Sequence, residues 1–213
     1  LNDAAALERL LPKLAPIAEE VIVVDGGSDS IPTALTAQFG VTLLSSEPGR
    51  ARQMNAGANA ATGDILLFLH ADSELPRDFL FEIKQAIAEG SEWGRFDVCL
   101  SGDHFMFRVI ERMMNQRSRL TGICTGDQGI FILKHRFLEM GGFANIPLME
   151  DIEFTGRLKT APYCIRQKLV TSSRRWEKNG VYKTIWLMWS LRLRYFFGIS
   201  PQVLVQRYYG KNE

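Results

Sequence analysis

Ile65-Leu66-Leu67-Phe68-Leu69 is an unbroken run of five apolar residues, ended at once by His70-Ala71-Asp72. So short a continuous run predicts a strand covered on both faces, the kind found in α/β sheets with helices on either side. In extended backbone, residues two apart point the same way, so His70 and Asp72 can converge on one ligand. They would do so at the carboxyl end of the strand, where open α/β sheets bind their ligands. The plainer alternative is that the pair only ends the strand and starts the next helix.

The flanking sequence supplies the layers such a strand needs. Asn2 or Asp3 can cap a helix whose stripe is Leu7, Leu10, Leu11 and Leu14, and the helix should break before Pro16. Glu19 to Val24 predicts a second buried strand ending in Asp25-Gly26-Gly27-Ser28-Asp29-Ser30. A helix from about Pro32 to Phe39, capped at Asp29 or Ser30 and stopped by Gly40, leads to a strand at Val41–Leu44. Gly49 to Ala61 is an alanine-rich helix whose small residues allow close approach to a sheet, and Pro76 to Glu89 is another helix. This alternation predicts a doubly wound, mostly parallel sheet in one domain.

The second half is less regular. Strands are expected at Gly94–Leu100 and Gly129–Leu133, an extended segment at Tyr163–Ser173, and helices at Phe105–Leu120, Ile152–Leu158 and Tyr182–Phe197. No internal repeat or low-complexity segment stands out.

Composition narrows the partners. The 213 residues carry 25 Lys and Arg against 24 Asp and Glu, which gives no polyelectrolyte signature for nucleic acid. Cys99, Cys124 and Cys164 are an odd, widely spaced set without a CxxC pair, as expected for a reducing, cytoplasmic setting. Neither a signal peptide nor an 18-residue apolar span is evident. The last of the predicted helices sets Trp186, Trp189, Tyr195, Phe196 and Phe197 among Lys183, Arg192 and Arg194. Such a helix suits either the inner face of an anionic membrane or a core or homodimer contact.

Polar groups gather at the predicted strand ends and loops. Asp25 before two glycines can accept from a base or ribose, or can simply close a tight turn. Arg50 and Arg52 beside a helix start can hold a diphosphate, or can face solvent. Asp72 and His70 are two ligands, too few for a structural metal site but enough for an ion completed by substrate oxygens and water. Glu150-Asp151 follows a loop containing Gly141, Gly142 and Pro147, where a general base competes with plain helix-dipole complementarity. Arg174-Arg175-Trp176 can hold phosphate charge and stack on a ring, or form a solvated edge.

Taken in order, six motifs resemble those of family 2 glycosyltransferases, specifically a small bacterial subgroup of unassigned substrate. They are Asp25-Gly26-Gly27-Ser28, Gly49 to Gly57, Leu69-His70-Ala71-Asp72, Gly126-Asp127-Gln128-Gly129, Gly141-Gly142-Phe143 and Leu148-Met149-Glu150-Asp151. The resemblance implies a GT-A fold, with a nucleotide-sugar half at about residues 1–95 and an acceptor half with C-terminal helices at about 96–213. It implies inverting, metal-assisted transfer from a nucleotide-diphosphate sugar to an acceptor hydroxyl, with Mn²⁺ or Mg²⁺ as cofactor. A lipid-like acceptor would match the aromatic helix. Around the donor the resemblance places Asp25, Gly26, Gly27, Ser28, Arg50, Arg52, Asn55, Asp127, Gln128, Arg175 and Trp176. It gives Asp72, with His70, to the metal, and makes Asp151 of the Glu150-Asp151 pair the base.

Departures from the family pattern refine this reading. His70 stands where a metal-binding Asp is usual, and Asp29 follows Ser28 without the usual spacer. Ser172 occupies the Gln position ahead of Arg175-Trp176, which argues against processive polymer synthesis. The family's first apolar strand is expected to be missing, since the sequence opens at Leu1-Asn2-Asp3. Two other classes stay open: a catalytically silent nucleotide-binding or scaffold protein, and a sugar nucleotidyltransferase.

Overall fold

The computed structural model describes residues 3–30 and 33–210. It is an α/β domain with helices flanking the strands, as the alternation predicts. The expected Asn2 cap and the start of a helix at Pro32 lie outside the described residues.

Four elements form the first layer. Helix α1 (Ala4–Leu14) turns Ala6, Leu7 and Leu11 inward. Strand β1 (Ile22–Asp25) pairs in parallel with β2 (Thr42–Ser45) across the short helix α2 (Thr33–Gln38). Helix α3 (Arg50–Ala60) begins after Gly49, whose φ of 141° suits only glycine. The small residues of α3 do what small residues permit: a Cβ on Gly57 would lie 3.3 Å from Val24 Cγ2 on β1.

The second sheet is mixed. Strand β3 (Ile65–Phe68) runs antiparallel to β5 (Ile130–Leu133), β5 antiparallel to β4 (Trp93–Leu100), and β4 parallel to β6 (Tyr163–Thr171). The strand order is β3-β5-β4-β6. Instead of one continuous sheet there are two, because β1 and β3 do not pair; a cavity of about 800 Å³ lies between them, lined by α1, both strands and α3. This explains why β3 is only half-buried at most positions despite its apolar sequence.

Helix α4 (Phe79–Ala88) packs Phe79, Ile83 and Ala86 against Phe96, Phe131 and Leu169. Helix α5 (Phe105–Thr121) is fastened to β4 by polar bonds. The Asn115 side chain accepts from Val98 N at 2.9 Å and donates to Val98 O at 3.1 Å, and Glu111 accepts from Leu100 N at 2.7 Å. On the other face, Phe68, Phe137, Phe143 and Phe154 form a ring cluster with centroids 4.7–5.3 Å apart.

Three helices escape the sequence pattern: α6 (Lys134–Glu139), α8 (Arg174–Asn179) and α10 (Pro201–Tyr209). The first follows β5 with no turn residue between. Helix α7 (Glu150–Arg157) and helix α9 (Val181–Phe196) fall close to expectation. Leu191 of α9 and Leu204 of α10 pack on Leu148 and Met149, so the C-terminal helices buttress the start of α7. Met149 is the one non-glycine with positive φ among the described residues, at 69°. Backbone strain of this kind persists where packing holds it, and it clusters at functional sites.

Candidate active site

The carboxyl ends of β1 and β3, the turn Gly126–Gln128 and the start of α7 meet at one end of the domain. Asp25, Ser28, Arg50, His70 and Asp72 line the mouth of the cavity there, above a mostly apolar interior.

Asp151 is held from two sides. Its Oδ2 accepts from Gly126 N at 2.8 Å and its Oδ1 from Ile152 N at 2.7 Å. Thr155, one turn on, donates to the Asp151 carbonyl at 2.8 Å and accepts from Cys124 N at 3.2 Å, which ties α7 to the turn. The turn is itself closed by a reciprocal pair of bonds between Thr125 and Gln128.

His70 sits directly over this turn: a Cβ added to Gly126 would come within 2.7 Å of its Nε2. That nitrogen also lies 2.7 Å from Arg50 Nη2, and Nδ1 lies 3.4 Å from Asp127 Oδ1. A guanidinium can only donate, so Nε2 carries the lone pair and the ring proton lies on Nδ1, toward Asp127. Desolvation works against the Asp127 charge, but the His70 hydrogen bond and the Arg50 and Arg192 charges outweigh it and hold the carboxyl well below its ordinary range. Arg50 Nε lies 3.7 Å from Glu150 Oε1. Glu150 is buried, and burial together with the neighbouring Asp151 raises its pKa against the pull of Arg50.

The donor-side residues divide into those that face the mouth and those spent on structure. Asp25 accepts from Gly27 N at 3.0 Å, Ser28 N at 2.9 Å and Ser28 Oγ at 2.5 Å, and the Ser28 bond in particular lowers its pKa. The turn reading of Asp25 is therefore realised, while the residue still borders the mouth. A Cβ on Gly26 would meet Gln53 Cδ at 2.8 Å and push aside the Gln53 amide, which donates to Val24 O at 2.8 Å.

Asn55, expected beside the nucleotide, instead clamps a distant loop. Its amide accepts from Phe143 N at 2.9 Å and donates to Phe143 O at 2.8 Å. Gln128 is also spent internally: it is fully buried and donates to Ser118 Oγ at 3.2 Å. Arg52 points away toward Glu47 and toward Asn145 Oδ1, the latter at 3.0 Å. Arg175 lies 3.7 Å over the Tyr208 ring and donates to Tyr208 O at 3.1 Å, and Trp176 is half-buried on α8. Arg174, the first of the Arg174-Arg175-Trp176 run, approaches Asp72 Oδ2 at 3.7 Å.

For a divalent ion, Asp72 offers a hard oxygen donor with only this long contact among the described residues, which suits an ion completed by phosphate oxygens. His70 does not match that part in this arrangement, since its lone pair faces Arg50. No group of three or more His, Cys, Asp or Glu side chains forms a ready-made cage among the described residues.

Residues 1–141 match the sequence model of Glycosyl transferase family 2, and the chain belongs to that family. No curated protein matches it significantly. Among solved structures it is similar to residues 1–349 of Staphylococcus aureus TarS, with TM-score 0.65 and 18% identity over 81% of this chain and 58% of that one. It is also similar to the mannosyltransferase PcManGT of Pyrobaculum calidifontis in complex with GDP-Man and Mn²⁺, with TM-score 0.58 and 20% identity over 79% and 53%. A third is glucosyl-3-phosphoglycerate synthase of Mycobacterium tuberculosis in complex with Mn²⁺, UDP and glucosyl-3-phosphoglycerate, with TM-score 0.57 and 18% identity over 79% and 67%. The chain thus spans little more than half the length of the first two, and at these identities the likeness is one of fold.

Proposed function

We infer that the protein transfers a sugar from a nucleotide-diphosphate sugar to an acceptor hydroxyl, with inversion and one sugar at a time. The observation that carries this reading is the convergence of Asp151, held by Gly126, with His70, Arg50 and Asp127 beside Asp72, at the end of the domain where Asp25 also lies. Family membership and the nucleotide and Mn²⁺ in the structural neighbours support it.

In this mechanism residues 1–95 hold the donor, with the Asp25-Gly26-Gly27-Ser28 turn against the nucleoside and Arg50 toward the diphosphate. Asp72 would hold Mn²⁺ or Mg²⁺, which would supply positive charge to neutralise the diphosphate. Asp151 takes the proton of the acceptor hydroxyl. The acceptor oxygen forms its bond to the anomeric carbon from the face opposite the diphosphate, and the electron pair of the broken bond leaves on the diphosphate oxygen. Arg50, a donor-only group beside His70, stabilises that developing charge. Ser172 in place of a glutamine supports release after one transfer.

The acceptor side is residues 96–213. Helix α9 buries Thr184 and Leu191 but leaves Trp186, Trp189, Phe196 and Phe197 exposed by 77%, 56%, 82% and 73%. No helix among the described residues is long and apolar enough to cross a membrane. Exposed aromatics with Lys183 and Arg194, and no acidic residue on the helix, favour contact with an anionic cytoplasmic lipid surface over a core role. Co-sedimentation with anionic liposomes, lost in a Trp186→Ala/Trp189→Ala variant, tests this; equal pelleting of both proteins would refute it.

The transfer itself is tested by incubating the protein with UDP- and GDP-sugars plus Mn²⁺ and following release of free nucleoside diphosphate. A nucleotidyltransferase would instead consume nucleoside triphosphate and release pyrophosphate. A silent scaffold would bind nucleotide without release.

A further inference from the structure

Two cations near the proposed base have no side-chain hydrogen bond or ion pair among the described residues. Arg117 lies on α5, the helix fastened to β4 through Asn115, and Arg192 lies on α9 next to the buried Leu191. The starts of the two helices meet, with His104 before α5 meeting Tyr182 of α9 edge to face at 6.2 Å. Arg117 Nε and Nη2 are shut off from solvent and hydrogen-bonded to nothing. No ion pair or side-chain hydrogen bond engages Arg192 among the described residues.

The neighbouring groups cannot satisfy them. Both arginines are partly buried, and burial with the Arg192 charge brings Arg117 down to about 10, while burial lowers Arg192 as well. Cys124, near Arg117, is pushed up to about 12 by burial and is a neutral thiol. Asp151 and Asp127 are the acids whose charge both arginines feel, but their oxygens are directed to Gly126, Ile152 and His70, and among the described residues neither reaches ion-pair distance of Arg117 or Arg192. Placing two like charges near each other, partly removed from water and without a paired anion, is unfavourable unless a ligand brings the anion.

We propose that Arg117 and Arg192 bind an anionic group, phosphate or carboxylate, of the acceptor, and so position its hydroxyl at Asp151. This rests on the transferase reading above and narrows the acceptor to negatively charged molecules. Donor-side Asp25, Asp72 and Arg50 come from residues 1–95, whereas this pair comes from the second half. A lipid phosphate headgroup and a free phosphorylated or carboxylated acceptor present the same anion.

The test uses protein labelled with ¹⁵N-arginine and saturated with UDP or GDP and Mg²⁺, so that donor-side cations are occupied, and titrates sodium sulfate as the anion probe. The Arg117 and Arg192 Nε–H signals, assigned by their loss in Arg117→Lys and Arg192→Lys, should shift saturably. In Arg192→Gln the sulfate affinity read at Arg117 should fall at least about tenfold, and Arg117→Gln should do the same at Arg192. Arg112→Gln, an exposed control on α5, should leave it unchanged, and nucleotide affinity should stay within about twofold in all variants. Absence of a saturable shift, or a shift that survives both Gln variants, overturns the site. A tenfold loss of UDP or GDP affinity in those variants assigns the pair to the donor diphosphate and overturns the acceptor role. If neither nucleotide binds the parent protein, the transferase reading fails by itself, and the acceptor role falls with it whatever sulfate does. Competition of sulfate with glycerol 3-phosphate, against competition with vesicles containing phosphatidic acid, separates a free acceptor from a headgroup.

Discussion

The Asp151 carboxylate accepts the Gly126 amide at 2.8 Å, so the proposed base is aimed by a backbone group 25 residues earlier in the chain. Asp151→Asn keeps an oxygen to accept that bond while removing the basic carboxylate. Sugar transfer should fall about 10²–10⁴-fold, the usual contribution of a positioned general base, with nucleoside diphosphate affinity unchanged by calorimetry. Transfer near the parent rate would remove Asp151 from the role of base.

Gly126 is also the floor beneath His70. In Gly126→Ala the new methyl would stand 2.7 Å from Nε2, so His70 must leave its place between Arg50 and Asp127. The expected result is a folded protein, destabilised by about 1–3 kcal/mol from overpacking, whose turnover drops more than its melting temperature suggests. His70→Ala in the same background should restore the stability but not the turnover, which thermal melts and a nucleotide-release assay would show.

Asp72→Ala should abolish the part of nucleoside diphosphate affinity that depends on Mn²⁺, leaving the metal-independent part intact. Calorimetry with and without Mn²⁺ reads this directly. Equal metal dependence in parent and variant would exclude Asp72 as the ion's ligand.

The lowered pKa of Asp127 has a stability consequence with a definite sign. Its ordinary value is 3.8 and its folded value lies below that, so its charge stabilises the fold fully above pH 3.8 and the benefit is lost as pH falls through the folded value. Asp127→Asn should therefore be less stable than the parent at neutral pH, and the gap should close in strong acid. With 44% of the side chain open to the cleft, the neutral-pH loss should be no more than about 1 kcal/mol. Urea melts at pH 7 and pH 3 test it; a gap that widens in acid would contradict the assignment.

The elements most legible in the sequence were those with local signals. The apolar run at Ile65, the small residues of α3 and the loop before Glu150 each state their structure within a dozen residues. The roles of Asn55 and Gln128 were not legible, because an amide reads the same whether it meets a ligand or, as here, Phe143 O 88 residues away. Arg117 and Arg192 were less legible still. An arginine on a helix looks solvated until the fold shows it partly buried with no side-chain partner among the described residues. The division of the sheet was likewise hidden, since β1 and β3 each carry an apolar sequence that is indifferent to whether a neighbour pairs along its edge.

That division bears on how the molecule deforms. A continuous hydrogen-bonded sheet transmits strain sideways through its ladder, but among the described residues no ladder joins β1 to β3 across the cavity of about 800 Å³, which α1 and α3 help to line. The β1-β2 pair, with Asp25 at its tip, is therefore a separate elastic element from the sheet that carries His70. Filling the space with a well-packed extended segment would couple the Asp25–Ser28 turn to the Gly126–Gln128 turn, stiffening both without altering a single residue of either.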